Sequence, residues 1–139
     1  MRILFLLAVI VSACSPKPVT VEERIELPEI QFMSGGGFTG MYTTYIYDKE
    51  GKIFVQEEGE RMQIGELTDT EEKTIYIEIN ELMNKEEPIN VPGNMTYSVT
   101  VKDKTINYSW IWGDSKFPPP AKVQEFFDKY YTKAQSLIK

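Results

Sequence analysis

From residue 25 onward, apolar and polar positions alternate in short runs, with two longer stretches that repeat at helical spacing. Ile25, Leu27, Ile30 and Phe32 stand against polar neighbours, with Pro28 shifting the phase or marking an edge. The run Ser34-Gly35-Gly36-Gly37-Phe38-Thr39-Gly40 then breaks the pattern, and Met41 to Tyr47 resumes it with β-branched and aromatic residues. Asp48-Lys49-Glu50-Gly51 predicts a turn, with glycine supplying the positive φ that closes it. Lys52 to Gln56 returns as a strand, and a further one is predicted over Glu60 to Glu66 after the polar break Glu57-Glu58-Gly59.

Leu67-Thr68-Asp69-Thr70-Glu71-Glu72 reads as a helix start. Thr68 and Glu71 have the spacing of a capping box, and acidic side chains suit the positive end of a helix dipole. Ile75, Ile79, Leu82 and Met83 share one helical face. Ile75, Ile77 and Ile79 also alternate as a strand would, but the cap and Glu81-Leu82-Met83 favour a helix ending before Pro88. Tyr97, Val99 and Val101 alternate with Thr96, Ser98 and Thr100. Ile106, Tyr108, Trp110 and Trp112 repeat the pattern beyond Lys102-Asp103-Lys104, which predicts a hairpin with one buried face. Pro118-Pro119-Pro120 precedes Val123, Phe126, Phe127, Tyr130, Ala134 and Leu137, spaced for one face of a final helix. The predicted fold class is α+β: an antiparallel sheet of about five or six strands with two helices packed on one face.

The first residues follow a different logic. Arg2 precedes nine apolar residues, Ile3 to Val11, which suit the hydrophobic region of a secretory signal. A spanning helix needs roughly 20 apolar residues, so the stretch is too short to cross a bilayer. Val11-Ser12-Ala13-Cys14 resembles the lipobox of bacterial lipoproteins. That resemblance implies diacylglycerol and palmitate on Cys14, cleavage just before it, and attachment to the membrane through lipid. By similarity to sorting in enteric bacteria, Ser15 after the cysteine implies the outer membrane of the cell envelope. Acyl chains contribute about 0.8 kcal/mol per buried CH₂, so two or three suffice for a stable anchor. The expected organisation is a signal peptide over 1–13, a lipidated cysteine and Pro-containing tether over 14–24, and a single α+β domain over 25–139.

Composition removes several chemistries. The chain of 139 residues has no histidine and a single cysteine. Internal disulfides, Cys/His zinc sites and nucleophilic catalysis based on Ser-His-Asp or Cys-His are thereby excluded. Removing residues 1–13 takes away only Arg2 among the charges, so 15 basic residues become 14 against 21 acidic, a net charge of −7. Without a basic cluster there is no electrostatic footprint for nucleic acid, and anionic headgroups would not attract the domain. The carboxylate pairs Glu57-Glu58, Glu71-Glu72 and Glu86-Glu87 fall in turns or at helix ends, where acids are ordinarily solvated. No loop has the oxygen-ligand spacing of a calcium site. The expectation is therefore a protein that is not an enzyme, with no catalytic residue, no metal and no cofactor.

Gly35, Gly36, Gly37, Phe38, Thr39 and Gly40 make the sharpest local signal. The segment lacks the Gly-Lys-Ser/Thr ending of a phosphate loop. Adjacent glycines permit backbone approaches that side chains would block, so it is either a tight connection or an exposed loop that presses into a partner's groove. Trp110 and Trp112 fall on one face of a strand beside Tyr108, a pattern that favours core over a glycan platform. Met33, Met41, Met62, Met83 and Met95 are scattered, and packing explains them. Tyr131 and Trp112 are candidates for an exposed patch.

The glycine segment, the Leu67-Thr68…Glu71-Glu72 helix start, the alternating Tyr97 to Val101 strand and the proline-led last helix come in an order that resembles the emfourin family. These are small bacterial inhibitors of thermolysin-type metalloproteases. The resemblance spans about residues 30–137, and a similar glycine segment occurs in lipoproteins of the Bacteroides group. It implies a protein partner of the metalloprotease kind and a cleft occluded by backbone over Gly35 to Phe38. The lipid anchor, the turn at Asp48 to Gly51 and Trp110-Ile111-Trp112-Gly113 depart from the emfourin pattern. A structural or envelope-assembly lipoprotein and a carbohydrate-binding module are the alternatives.

Overall fold

A computed structural model of the protein describes residues 25–139; the expected signal, Cys14 and the expected tether lie outside the described residues. Seven strands form one sheet: β1 (Glu29–Gly36), β2 (Met41–Tyr47), β3 (Lys52–Glu57), β4 (Glu60–Glu66), β5 (Ile89–Val91), β6 (Met95–Lys102) and β7 (Asn107–Trp112). Their order across the sheet is β4-β3-β2-β1-β6-β7-β5. Every neighbouring pair is antiparallel except β5 with β7. Helix α1 (Asp69–Lys85) joins the two halves of the sheet in sequence, and α2 (Ala121–Leu137) ends the chain.

The α+β class is as expected, but the strand count and composition of the sheet differ. The extra strand is β5, whose three residues lie between Pro88 and Pro92. So short a run has no alternation to detect. It exists because Ile89, Asn90 and Val91 pair with Trp110, Ile111 and Trp112 of β7 in parallel. The other difference is at the glycines. The expectation that they interrupt the first strand is overturned: Gly35 and Gly36 complete β1, paired with Tyr42 and Met41 on one side and with Thr96 and Met95 on the other.

Directly paired residues point to the same face of a sheet, so the register defines the core side. Val55, Tyr45, Phe32, Val99 and Trp110 form one row across five strands, and all five are buried. Helix α2 lies against that row. Phe32 meets Phe126, Phe127 and Tyr130 at ring-centroid distances of 5.6, 6.3 and 5.9 Å. Tyr45 meets Tyr131 at 4.8 Å, and Trp112 meets Phe127 at 5.2 Å. The Tyr47 hydroxyl donates to the Tyr130 carbonyl at 2.7 Å, so a buried polar group in this aromatic layer is satisfied. Burial pushes both the Tyr47 and the Tyr130 phenols well up from their ordinary value.

Helix α1 adds Ile75, Ile79 and Leu82 to the same core. The expected capping box is present: the Glu71 amide donates to Thr68 Oγ1 at 3.3 Å, and the Thr68 amide donates to Glu71 Oε2 at 2.9 Å. Glu78 ties the two helices, accepting from Lys129 Nζ at 2.6 Å and from the Tyr130 hydroxyl at 2.7 Å. The Asp48 turn also forms as its residues predict. Gly51 takes a φ of 77° and donates to the Asp48 carbonyl, while Asp48 Oδ1 accepts from the amides of Glu50 and Lys52. Among the described residues, no helix is long and apolar enough to cross a membrane.

Candidate interaction site at the hairpin tip

The glycine segment divides into two halves with different jobs. Gly35 and Gly36 are required by packing. A Cβ on Gly35 would lie 2.3 Å from the Met41 carbonyl oxygen, and one on Gly36 would lie 2.6 Å from that of Asn94. Gly36 also has a φ of 103°, a conformation L side chains rarely adopt. Here the chain is pinned between β2 and the turn before β6, and the Gly37 amide donates to the Asn94 carbonyl at 2.7 Å.

Beyond that point the chain leaves the sheet. Gly37, Phe38 and Thr39 make one 3-10 turn, closed by Gly40 in the left-handed region with a φ of 61°. The Gly40 amide donates to the Gly37 carbonyl at 3.4 Å, and Thr39 Oγ1 accepts from the Met41 amide at 3.3 Å. At the crest of this turn Phe38 is 111% exposed, more open than the same side chain in an extended reference peptide. Nothing in the fold requires an apolar ring there.

Phe38 does not stand alone. Met41, Tyr42, Met95 and Phe117 are also exposed large apolar residues. Backbone contacts place them at one end of the sheet: Gly37 bonds to Asn94, Asp114 donates to the Val91 carbonyl, and Phe117 donates to the Asp114 carbonyl. Single exposed apolar residues are ordinary on a protein surface, but a group of them at one end is the usual mark of an interaction face. Met95 and Phe117 were not legible as part of it, because only the pairing of β1 with β6 and the loop after β7 bring them beside the tip. Expecting Met41, Met62 and Met95 to be packing residues is likewise overturned: all three are exposed, and only Met33 and Met83 are partly buried.

Other candidates resolve differently. Trp110 and Trp112 are buried, as their alternation predicts, so neither offers a stacking face to a sugar. The suggested patch of Tyr131 with Trp112 does not form, because Trp112 is packed on Phe127 and Tyr131 is stacked on the same ring at 4.8 Å. Burial raises the Tyr131 phenol, opposed by a hydrogen bond with Ser34 that lowers it. The three carboxylate pairs stay apart. Glu57-Glu58 closes β3, Glu71 serves the α1 cap with Glu72 buried beside Gly51, and Glu86 caps the far end of α1. Among the described residues no group of three or more Asp, Glu, Cys or His side chains could hold a metal ion.

Beside the tip, Gly40 to Thr43 form one wall of an open groove of about 890 Å³, with Val55, Glu57, Glu58, Glu60 and Met62 completing it. Its volume is in the range of ligand sites, but it is open and has no convergent buried polar groups of the sort a small-molecule pocket uses. Compared with known proteins, the chain matches no protein-family model and no curated protein.

Proposed function

We propose that the chain is a lipid-anchored envelope protein, not an enzyme, that holds a protein partner through the tip of its β1–β2 hairpin. The observation that carries the reading is Phe38: a fully exposed ring on a glycine-built turn whose base is rigidly paired on both sides. Burying such a side chain in a partner's pocket is worth about 1.5–3 kcal/mol, which is what interface anchors contribute. Both helices pack on the inner face of the sheet in this reading, supported by the ring contacts of α2 and by the Glu78 link to α1.

Val11-Ser12-Ala13-Cys14 supports lipid attachment, and Ser15 after the cysteine supports the outer membrane. The order of motifs shared with emfourin supports the specific version, in which the partner is a thermolysin-type metalloprotease and the tip occludes its cleft. Absence of histidine from the sequence suits a blocker. In a rival reading, a structural lipoprotein, the glycines serve only the fold. The packing of Gly35 and Gly36 favours it for those two residues.

Substitution at Phe38 separates the two, because that side chain makes no contact the fold depends on. Phe38→Asp is expected to keep the circular dichroism and thermal midpoint of the parent and to lose capture of its partner from envelope extract. Equal capture by both forms would refute the tip as the binding element.

A further inference from the structure

The inner face of the sheet outruns its helical cover near the tip. Tyr45 lies under Tyr131 of α2, whereas Thr43 and Met41, the next inner-face positions along β2, are progressively more open. The same happens on the neighbouring strands, where Val55 pairs with Met62, which is 61% exposed. The result is the groove of about 890 Å³, floored by Met41, Val55 and Met62 and bordered by Glu57, Glu58 and Glu60. No Lys or Arg lines it. The nearest cation in sequence, Arg61, is turned to the opposite face, where it lies 5.5 Å over the Phe54 ring and 3.8 Å from Glu29. One wall of the groove is β4, an edge strand whose outer row of peptide groups has no strand partner among the described residues.

An apolar floor ringed by carboxylates, beside a free strand edge, favours one kind of occupant. We infer that the groove takes an extended peptide segment of the protein partner, with an apolar side chain on Met41, Val55 and Met62 and flanking Lys or Arg residues on the three glutamates. This rests on the reading of the chain as a protein-binding one. It assigns the partner a basic-apolar segment next to the pocket that receives Phe38. Glu57 Oε1 accepts from the Thr43 hydroxyl at 3.4 Å, which leaves the rim's negative charge unbalanced. An acidic segment would meet repulsion and an uncharged one would supply no counter-charge, and complementary charge is what sets partner choice at such a rim.

The test uses the full chain in neutral detergent and labelled peptides of equal length: a Leu-Val centre flanked by lysines, the same centre flanked by glutamates, and a Gly-Ser centre flanked by lysines. The lysine-flanked Leu-Val peptide should bind tightest and shift the methyl resonances of Met41 and Met62 but not that of Met83. Glu57→Gln with Glu60→Gln should weaken it about tenfold, at the upper end for two exposed ion pairs. Glu81→Gln with Glu125→Gln, an equal loss of charge on the helices, should leave it unchanged. Equal weakening by the two double variants, equal binding of the glutamate-flanked peptide, unmoved Met41 and Met62 signals, or no binding would each overturn the inference. Its failure is separable from failure of the tip: the peptides read the groove, and Phe38→Asp reads the tip on the natural partner.

Discussion

Gly36 and Gly40 both have positive φ, yet substitutions at the two should differ in effect. At Gly36 a side chain meets positive φ and a carbonyl oxygen 2.6 Å from its first carbon; at Gly40 it meets positive φ and open space. Gly40→Ala should therefore cost about 1 kcal/mol, the conformational penalty alone. Gly36→Val adds steric conflict with backbone that cannot yield and should cost about 3 kcal/mol, with loosening of the turn before β6. Urea unfolding of the two variants measures the contrast. The run of glycines is plain in the sequence; which of them are bound by packing is not. That depends on Asn94, more than fifty positions away, and so could not be read locally.

Local interactions explain which elements were legible. The α1 cap needs only Thr68 and Glu71, three residues apart, and the Asp48 turn needs only its own four residues and Lys52, so both follow from short-range chemistry. Strand β5 depends on β7, and the end of β1 on β6, so neither announces itself in its own segment. Glu71 also contributes a pH dependence to the helical layer. A hydrogen bond from Lys133 first, and then one from the Thr68 amide, hold its carboxyl below the usual carboxylate range. A group lowered by folding stabilises the folded state above its unfolded value, and that contribution fades as pH falls through the depressed folded value. Glu71→Gln can keep the bond from the Thr68 amide but loses the charge that faces Lys133. It should thus be less stable than the parent at neutral pH, by about 0.5 kcal/mol for a half-exposed ion pair. The deficit should shrink on acidification below the ordinary carboxylate range. A constant deficit across pH would mean that the charge of Glu71 does nothing for the fold.

At the scale of the whole molecule, the two ends of β1 set the proposed attachment apart from the proposed binding tip. The described chain enters the domain at the Glu29 end, and the hairpin tip lies at the Gly36 end. Eight strand residues place the two roughly 25 Å apart. With the proposed lipid attachment at Cys14, the domain would be held from the end opposite Phe38, with the tip, the groove and Phe117 facing away from the membrane. The acidic character of the domain suits that arrangement, since negatively charged headgroups would not draw its surface down.

The most direct measurement is photo-crosslinking in intact cells, with a benzoyl-phenylalanine placed at position 38 of the full chain and, separately, at Ile77, an exposed apolar position on α1. A discrete adduct in the membrane fraction is expected from position 38 and none from position 77. No adduct from position 38, or the same adducts from both positions, would contradict a partner held at the hairpin tip.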